Sequence, residues 1–153
     1  MRCIIEIDPQ AEEPSVILKT ASVNEELLNT VKKINSLLHE TVLQGYCGSE
    51  VILLHQEDIL RIYSQRQKVF AQTAQGEYLL RLRLYEAENL IDPSVFLRIS
   101  ASEIVNSRSI RKLDVSLSGT IGVYLDGGIK TYASRRYVAR IKQFFQLRKG
   151  EKR

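Results

Sequence analysis

The sequence is poor in the residues that build disulfide frameworks and metal sites. Its 153 residues include two cysteines, Cys3 and Cys47, and two histidines, His39 and His55. The cysteines are far apart and no Cys-x-x-Cys pair occurs, so the spacing supports no zinc site. We expect each cysteine to be a small hydrophobic residue in a reducing cytoplasm, with an exposed, redox-sensitive Cys47 as the less favoured alternative. No metal or cofactor is expected.

Long apolar segments are also missing. The uncharged apolar runs are short, and residues 51–54 are typical of them, whereas a helix that spans a bilayer needs about 18 or more apolar residues. The sequence does not open with a charged leader, an apolar core and a small-residue cleavage site, so secretion is not expected. With 44% hydrophobic and 26% charged residues, the composition predicts a soluble, cytoplasmic globular protein.

Sequence signatures of catalysis are absent as well. There is no Gly-x-Ser-x-Gly elbow, no phosphate-binding Gly-x-x-x-x-Gly-Lys-Ser/Thr loop and no Gly-x-Gly-x-x-Gly fingerprint. The acidic pairs Glu12-Glu13, Glu25-Glu26 and Glu57-Asp58 indicate surface charge or favourable electrostatics at a helix start. We therefore predict that the protein is not an enzyme and has no small-molecule substrate.

What the sequence does have is a strong charge asymmetry. The formal net charge is +4, but residues 1–95 carry 9 Lys or Arg against 14 Asp or Glu, whereas residues 96–153 carry 13 against 4. A basic C-terminal part indicates a polyanionic partner, either nucleic acid or an anionic membrane. From the charges alone, a solvated basic surface is an equally good interpretation.

The first 45 residues predict two short strands followed by a helix. Residues 3–7 and 16–18 are β-favouring runs separated by two prolines. Ser22 and Glu25 have the spacing of a capping box, and apolar residues recur at helical spacing over residues 23–40. The stripe residues predicted to contact a partner or a second copy are Leu27, Val31, Ile34 and Leu38. Packing of this stripe on the rest of the chain is an equally open alternative.

From Gly45 onward the hydrophobic period changes from 3.6 residues to 2, which predicts strands. The predicted strands cover residues 51–54, 59–63, 68–73, 77–80, 110–113, 115–117, 121–125 and 129–132. A short helix is predicted within residues 82–90, and a final helix follows Ser134, whose hydroxyl is a good N-cap. Many short strands with frequent turns favour a barrel or a sandwich-like unit.

Three separated blocks resemble the LytTR-type DNA-binding domain of bacterial response regulators. The segment Phe96-Leu97-Arg98-Ile99-Ser100-Ala101-Ser102-Glu103-Ile104-Val105-Asn106 is similar to the family's Phe-x-Arg-x-His-x-Ser-x-x-Val-Asn block. Residues 121–127 and Ala133-Ser134-Arg135-Arg136-Tyr137 are similar to its strand, turn and final-helix start, and Asp58-Ile59-Leu60-x-Ile62 is similar to its first core strand. The blocks follow the family's order over residues 50–147.

The resemblance implies a mainly β fold of about ten short strands in small stacked sheets, with a C-terminal helix. It divides the chain into an N-terminal strand-strand-helix segment, residues 1–45, and a LytTR-like domain, residues 46–153. The family's loops and final-helix start enter successive major grooves, where each base pair presents its own donor and acceptor pattern. The base-contacting positions that the resemblance implies are Lys68, Ser100, Ala101 and Arg136.

Two of these positions carry alternatives. Lys68 depends on a loop alignment that could shift the contact to Arg66 or Gln67. Ser100 stands where many members of the family carry His, and the neighbouring Ala101 offers a methyl group that suits a thymine methyl. The residues expected to contact phosphates are Arg66, Arg108, Lys130, Arg135 and Arg140. For Arg140, a solvated helix face is an equally good interpretation.

The N-terminal segment takes the place of the phospho-receiver domain common in this family. The chain therefore resembles the short, stand-alone LytTR transcription regulators, which are commonly restrained by a co-encoded small membrane protein. The resemblance implies a sequence-specific regulator that binds double-stranded DNA at repeated sites as a homodimer. The alternative is a protein-interaction module whose basic C-terminal face docks an acidic partner or an anionic membrane.

Overall fold

The computed structural model describes residues 4–12, 15–38, 42–116 and 118–146. The three α-helices in these residues are α1 (Glu25–Leu38), α2 (Leu84–Leu90) and α3 (Val138–Phe144). The strands are β1 (Val42–Cys47), β2 (Glu50–His55), β3 (Ile59–Gln65), β4 (Lys68–Thr73), β5 (Gly76–Leu80), β6 (Phe96–Ser100), β7 (Glu103–Asn106), β8 (Ile110–Asp114), β9 (Gly122–Leu125) and β10 (Ile129–Tyr132). The mainly β fold expected from the sequence is confirmed.

The strands form two antiparallel sheets. The larger sheet has seven strands in the order β2-β1-β5-β4-β3-β7-β6, and the smaller sheet has three in the order β10-β9-β8. Short turns join most sequential neighbours, as is usual for antiparallel pairs. The 3-10 turn Ser107–Ser109 carries the chain from β7 of the large sheet into β8 of the small one.

Two apolar cores hold these layers together. The first lies between one face of the large sheet and α2, and it includes Ile62, Ala71 and Ala87, all fully buried. The second lies between the small sheet, α3 and the β6–β7 end of the large sheet, where Val105, Val123 and Ile141 meet. Strands β6 and β7 thus contribute side chains to both cores.

The N-terminal helix is confirmed, but two details of the prediction are wrong. The helix begins at Glu25 because Asn24 Oδ1 accepts a hydrogen bond from Leu27 N at 2.8 Å, so Asn24 provides the cap in place of Ser22. The strands predicted at residues 3–7 and 16–18 do not form in the described part of those segments. They pair with no other strand, and an isolated extended run is not stable as a strand. Cys3 lies outside the described residues.

The predicted contact stripe on α1 is partly covered within the chain. Leu27, Val31 and Ile34 are half-buried, and Val31 and Ile34 line a small cavity together with Val16 and Leu18. Leu38 is the last residue of the helix, and its side chain lies outside the described residues. None of these residues belongs to either core of the sheets.

No helix in the described ranges is long and apolar enough to cross a membrane.

Two further strand predictions differ from the structure. The strand proposed for residues 115–117 is absent at 115–116, because Asp114 Oδ1 accepts hydrogen bonds from Ser116 N and Oγ at 3.0 and 2.5 Å and turns the chain; residue 117 is not described. Conversely, the hydrophobic pattern does not predict β1, β6 or β7; in β1, Gly45 interrupts the apolar pattern. The glycine is required by packing: a Cβ there would lie 2.7 Å from Leu54 Cδ1 and 2.9 Å from Tyr78 Cβ.

We expect Gly45→Ala to destabilise the protein by about 1–3 kcal/mol, because the added methyl group overpacks a buried site whose neighbours include a Cβ atom. Thermal unfolding followed by circular dichroism measures the effect. Gln44→Ala, at an exposed position of the same strand, is the matched control. A Gly45→Ala variant as stable as this control would contradict the account.

Candidate nucleic-acid interface

Three connections that are far apart in the sequence meet at one end of the large sheet. They are the β3–β4 turn (Arg66, Gln67), the β6–β7 turn (Ala101, Ser102) and the 3-10 turn Arg135–Tyr137 before α3. Ser64 N, beside the first turn, donates to Ser102 O at 2.8 Å, and Ser134 N, beside the third, donates to Ile99 O at 3.0 Å. We call this place the three-turn end.

The β3–β4 turn holds two long polar side chains in an uncommon backbone conformation. Arg66 and Gln67 have φ angles of 51° and 64°, because a two-residue hairpin loop needs left-handed residues to follow the twist of its strands. Asn and Gly are the usual residues at such positions. Arg66, Gln67 and the adjoining Lys68 are all exposed. The turn therefore presents two cations to solvent at the three-turn end.

The guanidinium of Arg98 stabilises the β6–β7 turn by hydrogen bonds to its backbone. Its Nε donates to Ser100 O and its Nη2 to Ala101 O, each at 2.6 Å, while Nη1 lies 3.0 Å from Glu88 Oε2 on α2. The planar guanidinium thus binds two successive carbonyls of the turn and fixes their directions. The ion pair with Glu88 is thus one of three contacts that the Arg98 guanidinium makes.

The side chains of the β6–β7 turn differ in their freedom to bind a ligand. The Ser100 hydroxyl accepts a hydrogen bond from Ser102 N at 3.2 Å and lies 3.3 Å from Ser102 Oγ. Ser100 is half-buried, whereas Ala101 is exposed at the apex of the turn. Ser100 therefore stabilises the turn that presents the Ala101 methyl group.

A buried carboxylate joins the two sheets just behind the three-turn end. Glu103 Oε1 lies 3.0 Å from Arg61 Nη1, and Glu103 Oε2 accepts a hydrogen bond from Thr131 Oγ1 at 2.6 Å. Arg61 in turn donates from Nε to Gln72 Oε1 at 2.6 Å. The network links β4, β3 and β7 of the large sheet to β10 of the small one. Sequence reasoning missed it, because its members are separated by long stretches of chain and follow no motif.

The third turn carries two exposed arginines with different surroundings. Arg136 is exposed, with no hydrogen bond or ion pair recorded to the described residues. Arg135 lies against Gly119, where a Cβ would come within 2.8 Å of its Nε. Further along α3, Arg140 is exposed, and its guanidinium lies 5.5 Å from the centre of the Tyr137 ring. Arg136 is thus the least engaged cation of the three.

The remaining two predicted phosphate contacts lie elsewhere. Lys130 is on the outer face of the small sheet, with its Nζ 5.1 and 5.4 Å from the ring centres of Tyr124 and Tyr132. Hydrogen bonds to both phenols raise the pKa of Lys130, so it stays cationic. Arg108 lies at the opposite end of the large sheet, because Asn106 binds both Arg108 N and Ile59 O, each at 2.9 Å. Ile59 begins β3, whereas the β3–β4 turn follows its last residue.

Sites for a bound metal do not occur in the described part of the chain. No group of three or more His, Cys, Asp or Glu side chains there is arranged to hold an ion. Cys47 is a free thiol at the exposed end of β1. The chemistry of the three-turn end is therefore that of exposed cations, a methyl group and backbone amides.

Comparison with known proteins agrees with this fold. The family described as the LytTr DNA-binding domain matches residues 49–146. Two relatives described as uncharacterized HTH-type transcriptional regulators, from the bovine RF122 and MSSA476 strains of Staphylococcus aureus, are 33% and 32% identical over 143 residues, 94% of this chain and 97% of theirs. A LytTr DNA-binding domain structure from Bacillus cereus has a TM-score of 0.67 at 18% identity, and covers 69% of this chain and 97% of that one.

The relatives' description as HTH-type does not correspond to an element of this fold. A helix-turn-helix needs two consecutive helices joined by a short turn. Here strands separate α1 from α2 and α2 from α3 in the described residues. The three-turn end therefore consists of turns and the residues just before α3.

We expect one tyrosine to ionise late in an alkaline titration. Burial, assisted by a hydrogen bond to Glu77, raises the pKa of Tyr63 from 10.0 to about 12. The folded protein holds this proton more tightly than the unfolded chain does, so the associated stability is complete below pH 10 and is lost as the pH rises towards 12. Ultraviolet absorbance should show a late phenolate step that Tyr63→Phe removes.

The control for this titration is Tyr85→Phe, at a position 60% exposed on α2. It should leave the late step in place, whereas Glu77→Gln should bring that step to lower pH. A late step that persists in Tyr63→Phe would refute the assignment.

Proposed function

Since the chain belongs to the LytTR DNA-binding domain family, we propose that it is a transcription regulator that reads specific double-stranded DNA with its three-turn end. The observation that carries the proposal is the meeting of three sequence-distant turns at one place, with Arg66, Lys68 and Arg136 exposed there. A duplex presents its base edges at intervals along a groove, and separate turns on one rigid sheet can enter neighbouring grooves.

The proposed role of each turn residue follows from whether its side chain is free to bind DNA. Arg136 is exposed and unengaged, and its fork can bind O6 and N7 of a guanine bidentately. Lys68 offers a single, flexible cation to a base or a phosphate, and Ala101 offers a methyl group to a thymine methyl. Ser100 is committed to Ser102, so in this proposal it shapes the turn and contributes less to base reading than the sequence implied.

Sequence-independent affinity is assigned to the cations around the same end. Arg66, Arg135 and Arg140 flank the proposed reading residues and are exposed, which suits them to phosphate oxygens. Lys130 supplies positive charge on the neighbouring face of the small sheet. Arg108 lies at the far end of the large sheet, so the proposal leaves it out of contact with the duplex segment read by the turns.

The N-terminal segment is proposed to serve assembly. Its helix, α1, belongs to neither core, and Leu28 and Leu37 on it are 51% and 84% exposed. Such apolar exposure is typical of an interaction surface. We propose that this segment joins two copies on repeated DNA sites; a co-encoded membrane protein that contacts the same helix would then be able to restrain the dimer.

Selection of bound duplexes from a random library tests the proposed function directly. We expect the purified full chain to recover paired short repeats about one helical turn apart. On the recovered site, Arg136→Ala should weaken binding roughly ten- to hundredfold and relax the preference at one guanine, since a bidentate base contact contributes about 1–3 kcal/mol. Fluorescence anisotropy against single-base substitutions of the site measures both effects.

Arg108→Ala is the matched control, because it removes the same charge at the opposite end of the sheet. It should change affinity little. Equal losses in Arg108→Ala and Arg136→Ala, or recovery of no sequence preference, would refute the assignment; a binder of acidic proteins or membranes would give the second result.

Arg98 is expected to act as a positioning residue for the β6–β7 turn. Arg98→Lys keeps the charge but loses the fork that binds the carbonyls of Ser100 and Ala101. We expect weaker discrimination at the base pair that faces Ala101, with an unchanged dependence of affinity on salt, because the phosphate contacts remain. Glu88→Gln, which disturbs only the arm to α2, is the control. A loss uniform across all base pairs in Arg98→Lys would show a purely structural role.

A further inference from the structure

A row of apolar and aromatic side chains crosses five strands on one face of the large sheet. The strand registers align Tyr63 with Phe70, Phe70 with Leu79, Leu79 with Tyr46, and Tyr46 with Val51. Residues directly opposite each other in antiparallel strands point to the same face. The rings of Tyr63 and Phe70 stack, with centroids 5.6 Å apart. We call these five residues the sheet stripe.

The sheet stripe lies on the face that the two cores leave uncovered. Helix α2 covers the opposite face, where Ile62, Ala71 and Leu80 are buried. The small sheet covers the stripe's face only at β6 and β7, through Leu97 and Val105. Val51 in the stripe is 55% exposed, and Leu53, on the same face of β2, is 63% exposed. The other four residues of the stripe are half-buried. An apolar row that stays partly exposed on a sheet face is typical of an interaction surface.

Helix α1 provides a second apolar surface, which belongs to neither core of the sheets. Helix α1 and the segment 16–18 border the same small cavity, and residues 15–38 are here called the N-terminal unit. Every described side chain of α1 is at least partly exposed, and Ile17 and Leu37 are 76% and 84% exposed. A single 14-residue amphipathic helix and one extended segment bury too little surface to be stable alone.

The charges beside the two surfaces are complementary. Arg81 flanks the sheet stripe, with its guanidinium 4.0 Å from the centre of the Tyr46 ring. The first turn of α1 carries Glu25 and Glu26. Neither Arg81 nor these carboxylates form an ion pair within the described residues. If the start of α1 docked near Arg81, Glu25 and Glu26 could form ion pairs with its guanidinium.

We propose that the N-terminal unit of a second copy docks on the sheet stripe, and that the exchange is reciprocal. Each copy then covers the other's stripe, so the assembly closes after two chains with two-fold symmetry, as domain-swapped dimers do. The docked face lies to the side of the three-turn end, which stays open in both copies. The proposal gives the contact that would hold together the dimer of the proposed function. Only the biological role of the dimer depends on that function, since docking requires no DNA.

Site-specific photo-cross-linking in a mixed-isotope dimer tests the contact. Benzoylphenylalanine replaces Leu37, which is 84% exposed and has little packing to lose. Equal amounts of ¹⁵N-labelled and unlabelled full chain are mixed, irradiated without DNA and digested for mass spectrometry. We expect cross-links between differently labelled chains that map to peptides containing stripe residues. Cross-links within one label only would show docking in cis, and cross-links between two α1 helices would show a helix–helix dimer; either result overturns the proposal.

Paired charge variants test the energetics by sedimentation equilibrium. Leu37→Glu on the helix and Val51→Glu with Leu53→Glu on the sheet should each weaken dimerisation at least about tenfold, because each places a charge in an apolar interface. The controls are Asn29→Glu, exposed on α1, and Val115→Glu, 59% exposed away from the stripe; both should dimerise as the wild type does. A wild-type chain that stays monomeric at high concentration, or a dimer unaffected by the stripe variants, overturns the proposal.

Binding to a single half-site separates this proposal from the proposed function. If the docking is correct, Leu37→Glu keeps the wild-type affinity for one half-site and loses only the cooperative gain on two. If the wild-type chain dimerises through the stripe yet binds no DNA, the proposed function fails and the docking stands.

Discussion

The arrangement of the candidate interface depends on one buried carboxylate. Glu103 lies in the β7 strand that separates β3 from β6, and it binds Arg61 on one side and Thr131 of the small sheet on the other. A buried carboxylate is costly unless it is paired and hydrogen-bonded, so the hydrogen bond from Thr131 to Glu103 favours the observed position of the small sheet. That position sets the path of the chain from β10 through Ser134 into Arg135 and Arg136.

The same constraint explains why three distant turns share one end. β7 is short and begins at Glu103, so the β6–β7 turn lies one residue from the carboxylate, and β3 pairs with β7 through Tyr63 opposite Glu103. The β3–β4 turn follows a few residues later. Arg98 donates hydrogen bonds to two carbonyls of the β6–β7 turn and forms an ion pair with Glu88 on α2, which links the turn to that helix. Helix α2 therefore supports the turn through Arg98, and a rigid reading element requires such support.

The sequence predicted this fold where local pattern decides it. The alternation over residues 68–73 matches β4, and the helical spacing after Asn24 gives α1, because both patterns reflect burial of one face. It failed where tertiary contacts decide: β1 contains a glycine that only the approach of Leu54 and Tyr78 explains, and residues 16–18 lack a strand partner. The resemblance placed Lys68, Ala101 and Arg136, which meet at the three-turn end. No spacing could reveal Glu103 with Thr131, or that Arg108 lies at the opposite end, since both follow from strand pairing.

The chain's departure from the family pattern at Ser100 acquires a physical meaning in this arrangement. A histidine at that position would offer a ring nitrogen to a base, whereas the serine hydroxyl closes on Ser102 N and turns inward. The β6–β7 turn is then left with the methyl group of Ala101, which can favour thymine by contact but cannot reject other bases by an unsatisfied hydrogen bond. In the proposed function, most of the discrimination would therefore come from hydrogen bonds made by Arg136 and the β3–β4 turn. A protein that makes only two strong base contacts would gain specificity by binding two repeats of its site as a dimer. In the proposed function, the exposed N-terminal unit would join the two copies.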